Sequence, residues 1–236
     1  MKNEFTVAYL LGGLSQRFGG GIKPLAPIGL NGEPLLEISL RQAAKSHPSK
    51  FVLIVSPVTK KAYEDKIGHK FYNIPVYYSI QSFDPLIRDK PWGTADALCS
   101  AINNINSAFV ICNGDDLYGA SSFRQAKQFL IDSKVCVNIG YQLIEVVPDE
   151  GEVNRAIIQA NSEGDIQTMK EEFRITLQKI KNQEFEGNSL CSMNFFGIIP
   201  SVLPLIRQKV IEFKLKNSGN RTIECLLPQV INELGD

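Results

Sequence analysis

The chain has 236 residues, enough for one sizeable α/β domain or two small halves sharing a core. Its 25 Lys plus Arg are balanced by 25 Asp plus Glu, which argues against a nucleic-acid coat protein but not against a local pocket for one phosphorylated small molecule. A hydrophobic fraction of 44% with 21% charged residues is that of a packed globular chain, and no stretch approaches the run of about 20 apolar residues that a membrane helix needs.

Phe5-Thr6-Val7-Ala8-Tyr9-Leu10-Leu11 could pass for a signal-peptide core. Glu4 precedes it, Gly12-Gly13 breaks it and no small-residue cleavage pattern follows, so it reads as a first strand. Pro34 then opens a helix carrying Leu36, Leu40 and Ala44. Phe51 to Val55, Val76 to Ile80, Phe109 to Cys112 and Val135 to Ile139 are short Val/Ile-rich runs, which suit strands buried on both faces. Between them, Leu98, Ala101, Ile102 and Ile105 make an apolar helix stripe that Thr94 can cap, and Phe123, Ala126 and Leu130 mark another helix. This alternation predicts an α/β fold with a mainly parallel sheet flanked by helices.

After about residue 140 the pattern changes. Arg155 to Gln159, Ile166 to Met169 and Leu190 to Ile199 read as strands separated by polar turns, followed by helices near Val202 to Lys214 and Ile223 to Leu234. The whole of 1–236 reads as one domain, with a nucleotide-type half over about 1–130 and a substrate-covering half over about 131–236. Cys99, Cys112, Cys136, Cys191 and Cys225 form no CxxC pair and mostly lie in apolar runs. Buried free thiols in a reducing cytoplasm are therefore expected, rather than zinc ligands or disulfides.

The most informative stretch runs from Leu10 through Gly12, Gly13, Ser15, Arg17 and Gly19-Gly20-Gly21 to Lys23-Pro24-Leu25. Glycines directly after a buried strand let the backbone approach a ligand, and successive N–H groups can cradle phosphate. The loop is neither a Walker A motif nor GxGxxG, because Lys23 is followed by Pro and the spacing differs. Arg17 can hold phosphate oxygens bidentately, and Lys23 offers a point charge. Further on, Phe109 to Cys112 runs into Asn113-Gly114-Asp115-Asp116, two carboxylates where α/β sheets bind ligands. Mg²⁺ is commonly held by one or two carboxylates plus substrate phosphates.

Gly-Gly-x-Ser-x-Arg-x-Gly with a following Lys-Pro-Leu resembles the signature of the sugar-phosphate nucleotidyltransferases, the enzymes that make nucleoside-diphosphate sugars. Asn31-Gly32-Glu33-Pro34-Leu35-Leu36 is similar to the segment that follows in that family, and Gly93-Thr94-Ala95-Asp96-Ala97-Leu98 to its G-T-A-x-A-L element. Asn113-Gly114-Asp115-Asp116-Leu117-Tyr118-Gly119 resembles the N-A-D-D-F-Y-G of one branch. Gly140-Tyr141-Gln142-Leu143, Glu152-Val153-Asn154-Arg155 and Ser192-Met193-Asn194-Phe195-Phe196-Gly197 resemble further stretches of that branch. The resemblance is strongest over residues 7 to 119 and thinner to about 230.

It implies a Rossmann-like, GT-A-like nucleotide-diphospho-sugar transferase fold. It also implies transfer of a nucleoside monophosphate from a nucleoside triphosphate to a sugar 1-phosphate, with Mg²⁺ as cofactor and no nucleic-acid or membrane partner. Leu11, Gly12, Gly13, Gly93, Thr94 and Asp115 would bind the nucleotide, with Asp115 as metal ligand. Arg17 would steady the departing pyrophosphate and Lys23 contact phosphate, while Gly140, Glu171 and Asn194 would hold the sugar phosphate. A second metal ligand, Asp or Asn, is expected after a segment like Glu224-Cys225-Leu226-Leu227-Pro228. The sequence ends at Asp236, which leaves open truncation, another ligand or impaired activity. A molybdopterin-guanylyltransferase-like enzyme and a non-catalytic nucleotide-binding regulatory protein are the alternatives. Base, acceptor and oligomeric state are not legible.

Overall fold

The computed structural model of the chain describes residues 4–13 and 21–235. β1 (Phe5–Leu11) is followed by α1 (Leu35–Ala44), β2 (Lys50–Val55), α2 (Lys60–Ile67), the two-residue β3 (Lys70–Phe71), β4 (Ile74–Ile80), α3 (Thr94–Ser100), β5 (Ala108–Asn113) and α4 (Ala120–Ser133). Then come β6 (Val137–Gln142), β7 (Val153–Ala160), β8 (Ile166–Ile175), α5 (Leu177–Lys181), β9 (Leu190–Ile198), α6 (Leu203–Lys216) and α7 (Leu227–Gly235). The chain divides into two compact units: one runs up to Val137 and resumes with Phe196–Gly235, and the other is Asn138–Phe195. The last 40 or so residues thus return to the nucleotide-type half, instead of staying with the substrate-covering half in which the sequence groups them.

In the first unit the strand order is β3-β4-β2-β1-β5, followed by the end of β9. β1 pairs in parallel with β2 and β5, and β2 in parallel with β4. The end of β9 runs antiparallel to β5, with Phe109 opposite Ile198. Parallel strands need cover on both faces, and here Phe5, Val7, Ala8, Tyr9 and all of Phe51–Val55 are fully buried. α3 packs on β1, β2 and β4 and carries α6 and α7, while α4 packs on β5 and α1. The chain steps from β1 to β2 to β4 on one side and then returns to place β5 on the other side of β1. Such a reversal leaves a crevice at the carboxyl ends of the two central strands, where open α/β sheets bind ligands.

The second unit is antiparallel. β7 pairs with β8 and with β9, and β6 pairs with β9. Along β8 only Met169 and Ile175 are buried, which leaves one face of the strand to solvent. The core of this unit is Leu143, Val147, Ile175, Ile180 and Cys191.

Three expectations from the sequence are corrected. The helix stripe stops at Ser100, whose hydroxyl donates to the Ala97 carbonyl at 2.6 Å, and Ile102–Asn104 form a 3₁₀ turn. Ala101 and Ile105 are buried nonetheless. Lys134 adopts a left-handed conformation (φ 54°) and ends α4, so the next strand starts only at Val137 and Cys136 is exposed. Cys99 is partly exposed; Cys112, Cys191 and Cys225 are buried, and all five thiols are free. The C-terminal helix begins at Leu227 rather than Ile223, because Cys225 pairs through its backbone with Trp92 and Ala95. Among the described residues, no helix is long and apolar enough to cross a membrane.

Candidate active site

The crevice between β1 and β5 is built by close backbone approach. Leu10 lies opposite Asn113 in the parallel register, and Gly114 N–H donates to the Leu10 carbonyl at 3.1 Å. A Cβ on Gly114 would overlap the Leu11 side chain, so the turn after β5 lies close against the end of β1 and a larger residue there would require Leu11 to move. The next residue is Asp115. Lys23 reaches it from a short turn (Lys23–Leu25) in which Pro24 is buried, and Lys23 Nζ stands 2.8 Å from Asp115 Oδ2. Their side chains are 45% and 39% exposed, so both charges face the crevice and solvent. Arg17 lies outside the described residues.

Asp116 turns to a different task. Its Oδ2 accepts from Asn113 Nδ2 at 2.9 Å and from the Tyr118 hydroxyl at 3.4 Å, and that hydroxyl itself accepts the Asn113 N–H at 3.0 Å. These bonds fix the turn. Among the described residues, no group of three or more His, Cys, Asp or Glu could hold a metal by itself. Asp115 fits a smaller demand: one hard oxygen donor, with substrate phosphates supplying more. Asp115 is also felt at Tyr63, whose fully buried phenol is pushed well above its ordinary pKa by burial first and by that carboxylate second.

Leu11 is buried at the end of β1, where its side chain packs against the Gly114 turn. A Cβ on Gly12 would come within 3.1 Å of Gln81 Oε1, whereas one on Gly13 would meet none of the described residues within 4 Å. Gly93 needs its φ of +101° and has no space for a side chain, because a Cβ would lie 2.6 Å from the Cys225 carbonyl oxygen. The Thr94 hydroxyl accepts the Leu227 N–H at 2.9 Å, and the Ala95 N–H donates to the Cys225 carbonyl at 3.1 Å. Thr94 is thus the first residue of α3 and not its side-chain cap. The start of α3 is engaged by the C-terminal segment of the same chain, where the sequence suggests an anionic ligand.

Trp92 is an anchor. The Arg88 guanidinium lies 3.7 Å from its ring centroid, and Phe213 meets it edge-on. Arg88 is 1% exposed and donates to the carbonyls of Lys90, Pro91, Asn220 and Ile223. It ties the loop before α3 to the segment before α7. The sequence gives no sign of this, because Arg88 sits between Asp84 and Asp89-Lys90 in what looks like a solvated charge run.

In the second unit, Glu171 on β8 faces Ala156, which faces Ser192 on β9. Asn194 follows two residues later in a left-handed conformation (φ 57°), and its N–H donates to Ser192 Oγ at 3.2 Å. Asn138 Nδ2 donates to the same oxygen at 2.9 Å, while Asn138 Oδ1 is buried without a hydrogen-bond partner. Gly140 packs on Leu190, to which a Cβ would come within 3.3 Å. Glu171 as a residue is exposed, yet partial desolvation of its carboxyl raises its pKa, with the Arg155 charge pulling the other way. Asn138 and Ser192 are polar residues that sequence reasoning passed over.

Residues 19–172 match the model of the nucleotidyl transferase family. The chain belongs to that family. Among solved structures, it is similar to a UDP-glucose pyrophosphorylase complexed with UDP-glucose, with a TM-score of 0.67 at 14% identity over 98% of this chain and 86% of the other. It is also similar to HddC from Yersinia pseudotuberculosis, both alone and complexed with GMP-PN, with a TM-score of 0.57 at 17% identity over 84% of this chain and 78% of the other. At such identities the likeness is one of fold. No curated protein sequence gives a significant match. For a nucleotidyl transferase, the ends of β1 and β5 offer suitable chemistry: a half-exposed point charge on Lys23 and an oxygen donor on Asp115.

Proposed function

We propose that this nucleotidyl transferase moves a nucleoside monophosphate from a nucleoside triphosphate to a sugar 1-phosphate. The observation that carries the reading is the meeting of Lys23 and Asp115 at 2.8 Å beside the Gly12-Gly13 turn, at the point where the strand order reverses. An oxygen of the sugar phosphate attacks the α-phosphorus in line, the bond from that phosphorus to the β-phosphate oxygen breaks, and pyrophosphate departs. The attacking phosphate is already ionised, so no general base is required. Catalysis rests on positioning and on neutralising charge.

Lys23 would exchange its bond to Asp115 for the triphosphate, and Asp115 would be the residue that holds Mg²⁺. When bound, Mg²⁺ would offset charge on the phosphates. Arg17 would stabilise the leaving pyrophosphate. Leu11, Gly12, Gly13 and Gly93 line the nucleotide site through backbone and packing, and Glu171, Asn194 and Gly140 serve the sugar phosphate. Five free thiols suit a reducing cytoplasm. The N-G-D-D-L-Y-G stretch supports placing the chain in the branch with the N-A-D-D-F-Y-G motif.

The test is pyrophosphate release with Mg²⁺ across the nucleoside triphosphates and a panel of sugar 1-phosphates. Release that depends on a sugar phosphate is expected. Nucleotide binding with no release under any combination would favour the regulatory reading instead.

A further inference from the structure

α6 is apolar on two faces. Leu203, Ile206 and Val210 are buried within the first unit, where α6 packs on α3 and α7. On the other side Pro204 is exposed, and Leu205, Ile211 and Leu215 are 50%, 49% and 72% exposed. One apolar stripe suffices to hold a helix to its own chain, whereas a helix that is apolar all round is one that packs on both sides. Along the exposed face runs a groove of about 570 Å³, lined by Ile102, Ile105, Pro200, Leu203, Arg207 and Ile211 among others.

The exposed face has the spacing of a coiled-coil seam. Pro204, Gln208, Ile211 and Leu215 are separated by four, three and four residues, the d-a-d-a positions of a heptad. That places Leu205 and Glu212 at e, and Arg207 and Lys214 at g. In a parallel pair of helices, each g residue meets the e residue five places further on in the other helix. Arg207 of one copy therefore meets Glu212 of the other, and two-fold symmetry makes the contact twice. Arg207 has no hydrogen bond or ion pair with another described residue, and Glu212 accepts from Gln208 Nε2 of its own helix at 2.9 Å. Lys214 is held inward by Asp96 of α3, which also accepts from Gln81 Nε2 at 2.9 Å. An antiparallel pair would set g against g and e against e, with Arg207 beside Lys214 and Glu212 beside Leu205. The charges thus select the parallel pair.

We propose that two copies of this chain associate through α6 as a parallel, two-fold pair. Pro204, Gln208, Ile211 and Leu215 form the seam, and Arg207 of each copy faces Glu212 of the other. The same register brings Leu205 of one copy towards Pro200 of the other, at the groove. Gln208 meets its own counterpart across the axis, and a polar residue at an a position fixes register. A helix of 14 residues offers a short seam. Stable interfaces bury roughly 1,200–2,000 Å², so a dissociation constant of about 1–100 μM is expected. The inference does not depend on the nucleotide reading of the first unit.

The test is sedimentation equilibrium of the full-length protein from about 1 to 300 μM, with circular dichroism to show that each variant is folded. Wild type should follow a monomer–dimer equilibrium within that range. Leu215→Lys sets two ammonium groups against each other in the seam and should raise the dissociation constant by about 30-fold or more. Arg207→Glu alone and Glu212→Arg alone each turn two attractions into two repulsions and should raise it by about tenfold. An equimolar mixture of the Arg207→Glu and Glu212→Arg chains should return to within about threefold of wild type, since every contact then joins opposite charges again. A wild type that stays monomeric, a dimer indifferent to Leu215→Lys, or charge variants that the mixture does not restore would each overturn the proposal. So would a monomer in which an apolar dye binds wild type but not Leu215→Lys, because the face would then belong to a small ligand.

Discussion

The two units place their candidate residues in different ways. In the first, Leu11, Gly12 and Asp115 sit at the ends of largely buried parallel strands, with Lys23 reaching them from a short turn and Gly93 at the start of α3. In the second, Glu171 lies on an antiparallel strand with a solvated face, while Asn194 lies on the more buried β9 and is set by a left-handed backbone and by a shared serine hydroxyl. The first arrangement separates chemistry from stability, since the charges stand on a frame that does not need them. The second mixes the two, because Asn194 shapes its own strand.

Asp115→Asn should show the largest effect and tests the first half of that contrast. Turnover should fall by about 10²–10³-fold, the usual cost of losing a group aimed at the reacting phosphates. The melting temperature should hardly change, since an exposed ion pair contributes about 0–1 kcal/mol. A parallel loss of stability would show that the frame does depend on the charge. Gly93→Ala should do the reverse. Its φ of +101° and the Cys225 carbonyl at 2.6 Å leave no relaxed position for a methyl group. Denaturant unfolding should register a loss of about 1–3 kcal/mol for the backbone strain, plus more for the overlap. An unfolding midpoint at the wild-type value would refute the packing account of this glycine.

These two positions also show what was legible in the sequence. Continuous apolar runs named β1, β2 and β5 because strands buried on both faces have no polar alternation to obscure them; the same kind of run named β4, although Tyr77 and Ile80 there are exposed rather than covered. That Lys23 and Asp115 meet follows from a pattern the sequence displays, a carboxylate at a strand end and a lysine after a glycine loop. Gly93 was legible as a glycine but not for its reason, which lies 132 residues away at Cys225. Arg88, Gln81, Asp96 and Lys214 were silent for the same cause: their partners are distant in sequence, and each alone reads as an ordinary polar residue. β6 was misplaced by two residues, because a left-handed Lys134 carries no sequence mark.

Asn194 sharpens the second half of the contrast. Asn194→Ala should cost about 1 kcal/mol, since alanine tolerates a φ of 57° poorly, whereas Asn194→Gly should recover the stability but not the side chain. If the side chain holds the sugar phosphate, both variants should raise KM for the acceptor alike. A normal KM in Asn194→Gly would confine the residue to a backbone role.

The smallest effect is expected at Glu33, in the turn before α1. Hydrogen bonds from its own backbone N–H and from the Asn31 backbone and side chain, with Arg41 beside it, lower its pKa to about 2. A depressed folded-state value means that the stabilisation is complete above the unfolded value near 4.5 and is lost as pH falls through about 2. Glu33→Gln should flatten the acid limb of the stability curve across that window by lowering stability at neutral pH, while below about pH 2 the variant and wild type converge. An acid limb identical to wild type would contradict the assignment.

The account as a whole turns on Lys23 and Asp115 closing around one metal-bound triphosphate. The most direct measurement is calorimetric binding of a non-hydrolysable nucleoside triphosphate to wild type and to Asp115→Asn, with and without Mn²⁺ as a stand-in for Mg²⁺. Wild type should bind about tenfold or more tightly when the metal is present, and Asp115→Asn should lose that difference. The same metal dependence in both proteins would place the triphosphate elsewhere and contradict the account.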